Sequence, residues 1–100
     1  MTVKRIKTHP GAVLKLELEH RGLSANKFAL ALGVPTGRIT EILHGKRAIT
    51  PDTAIRIGTY FGNEPQFWLN LQNSYDLSVL EHTQGRRIRS EVRPPVEAVA

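Results

Sequence analysis

The sequence predicts an all-α domain of five helices over residues 9–82, with an arm over 1–8 and a tail over 83–100. Three observations carry this. Apolar residues recur at helical spacing in five segments, Ser, Thr and Pro stand where helices start, and Gly stands where they stop. At 100 residues the chain has the length of one domain, and 40% hydrophobic with 23% charged residues is close to globular averages.

Met1 to Thr8 carry three basic residues and little apolar pattern, which predicts a mobile arm. His9-Pro10-Gly11 opens the first helix, because the missing N–H of Pro10 is tolerated in a first turn. Leu14 and Leu18 share a face with Val13 beside them, and Gly22 ends the helix. Ser24 caps the second helix, with Leu23 and Phe28 as a staple around the cap. Lys27 stands where a capping box would have Glu or Gln. Phe28, Ala29 and Leu32 give the inward stripe before Gly33.

Gly33-Val34-Pro35 is a tight connection, and the third helix spans about Pro35 to His44, with Pro35 pre-setting its first turn. Ile39, Ile42 and Leu43 form its buried stripe, leaving Thr36, Gly37, Arg38, Thr40, Glu41 and His44 on other faces. Lys46 and Arg47 follow Gly45 as a basic loop. Thr50 caps a fourth helix with Pro51 first and Asp52 near the positive dipole end. Its core-facing residues are Ala54, Ile57, Gly58 and Phe61. After Gly62, Pro65 opens a fifth helix through Phe67, Trp68, Leu71, Tyr75 and Val79 to about His82. From Gly85 the pattern fails, and Pro94-Pro95 bars a helix, which predicts a tail that is mobile or ordered by a partner.

Fourteen Lys and Arg against nine Asp and Glu give +5 at pH 7, a balance suited to a polyanion. No cysteine is present, which excludes disulfides, thiolate metal sites and cysteine nucleophiles. His9, His20, His44 and His82 are scattered without ligand spacing, so neither metal nor cofactor is expected. No Gly-x-Ser-x-Gly, His-Glu-x-x-His or phosphate loop occurs, and the expectation is a non-enzyme. With no apolar run of membrane-spanning length and no signal-like start, the expected setting is cytoplasmic, away from membranes.

Ser24 to Lys46, a capped helix, a Gly turn and a second helix without slack, has helix-turn-helix spacing. In that geometry the second helix enters the major groove of double-stranded DNA. Thr36, Gly37, Arg38, Thr40 and Glu41 become candidate base readers, and Arg38 can grip guanine O6 and N7 in a bidentate pair. Ser24, Asn26, Lys27, Lys46 and Arg47 are candidate phosphate contacts. Two helices joined by a Gly turn also serve as a protein-interaction module, and specific, salt-steep binding to a promoter fragment separates the two readings.

Beyond spacing, His9-Pro10-Gly11, Leu32-Gly33-Val34-Pro35, Arg38-Ile39-Thr40-Glu41-Ile42, Gly45-Lys46-Arg47-Ala48-Ile49-Thr50, Asp52-Thr53-Ala54 and Phe67-Trp68-Leu69-Asn70-Leu71-Gln72 stand in one order. Together they resemble the HigA-type antitoxins of the Xre-like, phage-repressor helix-turn-helix proteins, over about His9 to Leu80. The resemblance implies a homodimeric antitoxin that neutralises a HigB-type, mRNA-cleaving toxin and represses its own operon at an operator palindrome. A stand-alone Xre-like regulator would have the same DNA unit, and a neighbouring toxin gene distinguishes the two. The sequence departs from relatives at Glu64, before Pro65, and in the basic Arg86 to Arg93 stretch. Trp68 with Leu71 is read as core, whereas Phe67, Leu77 and Leu80 fall off that stripe and are expected at a dimer interface. The arm and the last helix with its tail are the candidate toxin contacts.

Overall fold

In a computed structural model, the described residues, 5–96, form five helices and no strand. These are α1 (Pro10–Arg21), α2 (Ala25–Leu32), α3 (Thr36–Leu43), α4 (Pro51–Phe61) and α5 (Pro65–Glu91). Met1 to Lys4 of the expected arm, and residues 97–100, lie outside the described residues.

Local chemistry sets most helix ends. His9 Nδ1 accepts the Gly11 N–H at 2.8 Å and caps α1, with Pro10 in its first turn. Ser24 Oγ accepts from the Lys27 N–H at 3.1 Å, and Thr50 Oγ1 accepts from the Thr53 N–H at 3.5 Å. Gly33 takes φ +74°, the left-handed value that closes α2 and lets Val34 N–H reach back to the Ala29 carbonyl at 3.0 Å. One expectation shifts by a residue: Pro35 is not in the first turn of α3 but just outside it, as its N-cap at φ −63°, ψ 144°. Proline has no side-chain acceptor, so the first turn of α3 has no side-chain cap.

The core gathers one face from every helix. Leu14 and Leu18 of α1, Phe28, Ala29 and Leu32 of α2, Ile39 and Ile42 of α3, Ala54 and Ile57 of α4 and Trp68 of α5 are buried, with Ile49 from the α3–α4 loop. Phe61 stacks on Phe28, ring centroids 5.5 Å apart, and lies 6.2 Å from Trp68. Trp68 and Leu71 thus pack as expected, the former buried and the latter against the core.

Buried Gln72 was not anticipated in this role. Its Oε1 accepts the Ile49 N–H at 2.8 Å and its Nε2 donates to Asp76 at 2.9 Å, pinning the α3–α4 loop to α5. Gln72→Leu keeps the volume roughly but strands a buried N–H, a loss of about 1–3 kcal/mol. The melting temperature should fall by about 4–8 °C per kcal/mol, and an unchanged melt would remove this role from Gln72.

The larger correction is the end of α5. The helix does not stop near His82 but continues through Gly85 to Glu91, so most of the expected tail is helical. Glu81 and Arg89, eight residues apart, pair across Gly85, with Arg89 Nη1 donating to Glu81 Oε1 at 2.7 Å. An added Cβ at Gly85 would stand 2.7 Å from that same oxygen. The missing side chain is what lets the pair cross. Arg87 adds an i,i+4 pair with Glu91 at 3.0 Å. The arm is likewise partly fixed, since Lys7 N–H donates to Ser78 Oγ of α5 at 2.8 Å. A helix of 27 residues is about 40 Å long, which accounts for the elongated 56 × 23 × 22 Å body.

His9 makes α1 sensitive to pH. Its ring meets Tyr75 edge-on at 4.8 Å. Burial holds the imidazole below its ordinary pKa, against the Asp76 charge and a hydrogen bond with the Arg47 backbone. The folded state therefore binds this proton more weakly than the unfolded chain does. The resulting stability is full above the unfolded value of about 6.5 and is lost as pH falls through the folded one. Melts on the two sides of about pH 6.5 should show the drop, and His9→Asn, which retains a cap acceptor, should reduce it. A drop of equal size in that variant would assign it to other groups.

Candidate nucleic-acid interface

α2 and α3 meet through the Gly33 turn, and buried Ile39 and Ile42, with half-buried Leu43 beside them, turn the opposite face of α3 outward. At about 100° per residue, Gly37, Glu41 and His44 occupy the centre of that face. Thr36 and Thr40 lie on the flank towards α2, and Arg38 on the flank towards α4. Gly37 is open: an added Cβ there would meet nothing within 4 Å. His44, exposed at the C-cap, belongs to this face although it was not among the expected readers.

Most expected site residues are already engaged within the chain. Thr36 Oγ1 donates to Asn26 Oδ1 at 2.8 Å, so Asn26 ties the start of α2 to the start of α3. Thr40 Oγ1 donates to the Thr36 carbonyl at 3.1 Å. Glu41 pairs with Arg47 at 2.7 Å, bringing an expected base reader onto an expected phosphate contact. Ser24 serves as the α2 cap, and Lys27 and Lys46 are exposed.

Arg38 is held as well. Its Nη1 donates to Asp52 Oδ2 at 2.9 Å, and the same oxygen accepts from Arg56 Nε at 2.9 Å. Arg56 Nη1 also donates to the Leu32 carbonyl at 2.8 Å, at the end of α2. A cation there suits the negative end of the helix dipole. The hydrogen bonds from Arg56 and then from Arg38 hold the Asp52 carboxyl below the usual carboxylate range. Asp52 is thus more than the helix-dipole partner the sequence suggested, and Arg56 was missed. Its i,i+4 spacing from Asp52 was the available signal. With Arg47 and Thr50, these groups line a concavity of about 390 Å³ between α3 and the start of α4.

The expected dimer residues fall in two places. Leu77 and Leu80, 62% and 45% exposed, line with Ile88 a groove of about 250 Å³ on the distal half of α5. Phe67, also exposed, stands about 15 Å back along the helix, beside a small cleft that Val13 and Arg21 also line. Among the described residues, no group of three or more His, Asp or Glu is placed to hold a metal ion, and no helix is long and apolar enough to cross a membrane.

Comparison with known proteins agrees with this geometry. A helix-turn-helix family model matches residues 14–68. Virulence-associated protein I of Dichelobacter nodosus is 50% identical over 74 residues, covering 73% of this chain and 68% of the relative. An addiction module antidote protein of the HigA family from Coxiella burnetii superposes with a TM-score of 0.85 at 44% identity, over 91% of this chain and all of that one. The antitoxin HigA of Pseudomonas aeruginosa, solved with the higBA promoter, gives a TM-score of 0.85 at 36% identity, over 92% of this chain and 100% of that one. With a family model across more than half its length and a HigA-family structure matched end to end, the chain belongs to the Xre-like helix-turn-helix family, among its HigA-type antitoxins and DNA-binding regulators.

Proposed function

We propose that this protein neutralises a HigB-type mRNA-cleaving toxin and, as a homodimer, represses its own operon by placing α3 in the major groove of an operator palindrome. The observation that carries the reading is the outward face of α3. Its centre is open backbone at Gly37 and its rim is basic, and the P. aeruginosa relative of the same fold was solved on promoter DNA. Thr36, Gly37, Arg38, Thr40 and Glu41 are the proposed base readers. Lys27, Lys46 and Arg47, with Ser24 and Asn26 at the start of α2, are the proposed phosphate contacts. Arg47 would exchange Glu41 for phosphate on binding.

The dimer proposal rests on Leu77 and Leu80, because they share one groove on the part of α5 that projects beyond the core; Phe67 belongs to a separate exposed patch. No reaction is assigned, and the protein acts by binding.

Titration of a fragment of its own promoter at two salt concentrations tests the DNA half, each phosphate contact steepening the salt dependence of log K by about 0.9. Arg38→Ala should weaken operator binding and relax one base position, at a cost of about 1–3 kcal/mol, while toxin neutralisation survives. Unchanged affinity and base preference would remove Arg38 from the readers. Co-expression with the product of an adjacent small basic reading frame tests the other half. Growth rescue is expected, and its failure leaves a stand-alone regulator.

A further inference from the structure

Arg38 reaches its place by a chain of contacts that begins at Leu32, the last residue of α2. The Leu32 carbonyl accepts from Arg56 Nη1, Arg56 Nε donates to Asp52 Oδ2, and that oxygen accepts from Arg38 Nη1. Arg56 is thereby fixed to the helix-turn-helix itself, and Asp52 is fixed by Arg56. Asp52 engages only one corner of the Arg38 guanidinium. Of its five N–H donors, those along the Nε–Nη2 edge have no partner among the described residues. That edge has the fork geometry that meets two acceptors of a guanine side by side.

We propose that Asp52 is a specificity-determining positioning residue: it touches no base, but holds the Arg38 guanidinium in one orientation with its Nε–Nη2 edge presented to the groove. This rests on the reading of α3 as the DNA-facing helix. A long arginine side chain otherwise loses much rotamer freedom when it docks, and an orientation fixed beforehand removes that loss for the matching base alone. The placement also runs against simple charge. A carboxylate beside a phosphate-binding surface repels DNA of every sequence, so Asp52 lowers general affinity while raising discrimination.

The test compares wild type, Asp52→Ala, Arg38→Ala and the double variant against a promoter fragment, the same fragment with single base pairs changed, and unrelated duplex of equal length. Asp52 is exposed and its ion pairs add little stability, so Asp52→Ala should fold; a thermal melt close to wild type checks this. The expected result is that Asp52→Ala binds unrelated duplex as well as or better than wild type. At the base pair that Arg38→Ala also relaxes, its discrimination falls by about two- to fivefold. In the Arg38→Ala background, Asp52→Ala should change discrimination no further, because the two residues act as one unit. Discrimination that is unchanged or increased in Asp52→Ala overturns the proposal, as does an equal loss on all duplexes, or an equal effect in both backgrounds. Those outcomes leave α3 as the reading helix. Absence of sequence-specific binding by the wild type instead overturns the DNA reading itself.

Discussion

Gly11→Ala should destabilise the domain by about 3 kcal/mol or more, at the upper end of what overpacking costs. A Cβ built on Gly11 would stand 1.8 Å from the backbone carbonyl oxygen of Ile42 and 2.8 Å from its carbon. Both atoms belong to α3, so no flexible side chain can move aside. The start of α1 must withdraw from the end of α3 by more than 1 Å to restore ordinary contact. That withdrawal opens space beside buried Pro10 and Leu14 and pulls on the His9 cap. The usual gain of alanine over glycine in a helix, about 1 kcal/mol, does not offset this. The melting temperature should fall by about 12 °C or more. Because Ile42 is in α3, operator binding should weaken at temperatures where the variant is still folded. A melt within about 3 °C of wild type would show that α1 and α3 separate easily, and would sink the argument.

That contact also shows where the sequence stops being readable. Pro10, Ser24, Thr50 and the stop glycines act on atoms within a few residues, so their roles follow from order alone. The stripe of Ile39, Ile42 and Leu43 likewise fixes which face of α3 turns outward, and so places Gly37, Thr40 and Glu41. Periodicity names a buried face but not the partner that covers it, and nothing in the sequence says that Gly11 abuts Ile42. The same limit hid Gln72, whose partner Ile49 is 23 residues away, and the attachment of Arg38 to Asp52 across a loop. The end of α5 was misread for another reason. Gly85 followed by basic residues is a common stop signal, but here the Glu81–Arg89 pair crosses the glycine and the helix continues. For Gln72, for Arg38 with Asp52 and for Glu81 with Arg89, long polar side chains decide the structure, and their reach exceeds the spacing that a pattern can register.

The groove residues of α5 lead to the second large effect. Leu77→Glu combined with Leu80→Glu should convert the proposed dimer to a monomer and weaken operator binding by about 10²- to 10⁴-fold, with little loss of fold. Both side chains are exposed in the single chain, at 62% and 45%, so carboxylates there are solvated in the monomer. In the proposed dimer, two copies of the same patch would meet around a two-fold axis, and each added carboxylate would face an apolar surface or its own symmetry mate. The DNA effect follows from geometry. In the proposed complex one α3 would read one half-site, and the second half-site would bind with high effective concentration only while the partner is attached. The variant should sediment as a monomer at micromolar concentration and melt within about 4 °C of the shift expected for dimer dissociation alone. It should also show about half the salt dependence of the wild type on the palindrome, because the phosphate contacts of one copy are lost. A dimer mass that persists in this variant would place the seam elsewhere on the surface, with Phe67 the next residue to substitute. A monomer that binds the palindrome with wild-type affinity would sever dimerisation from DNA recognition altogether.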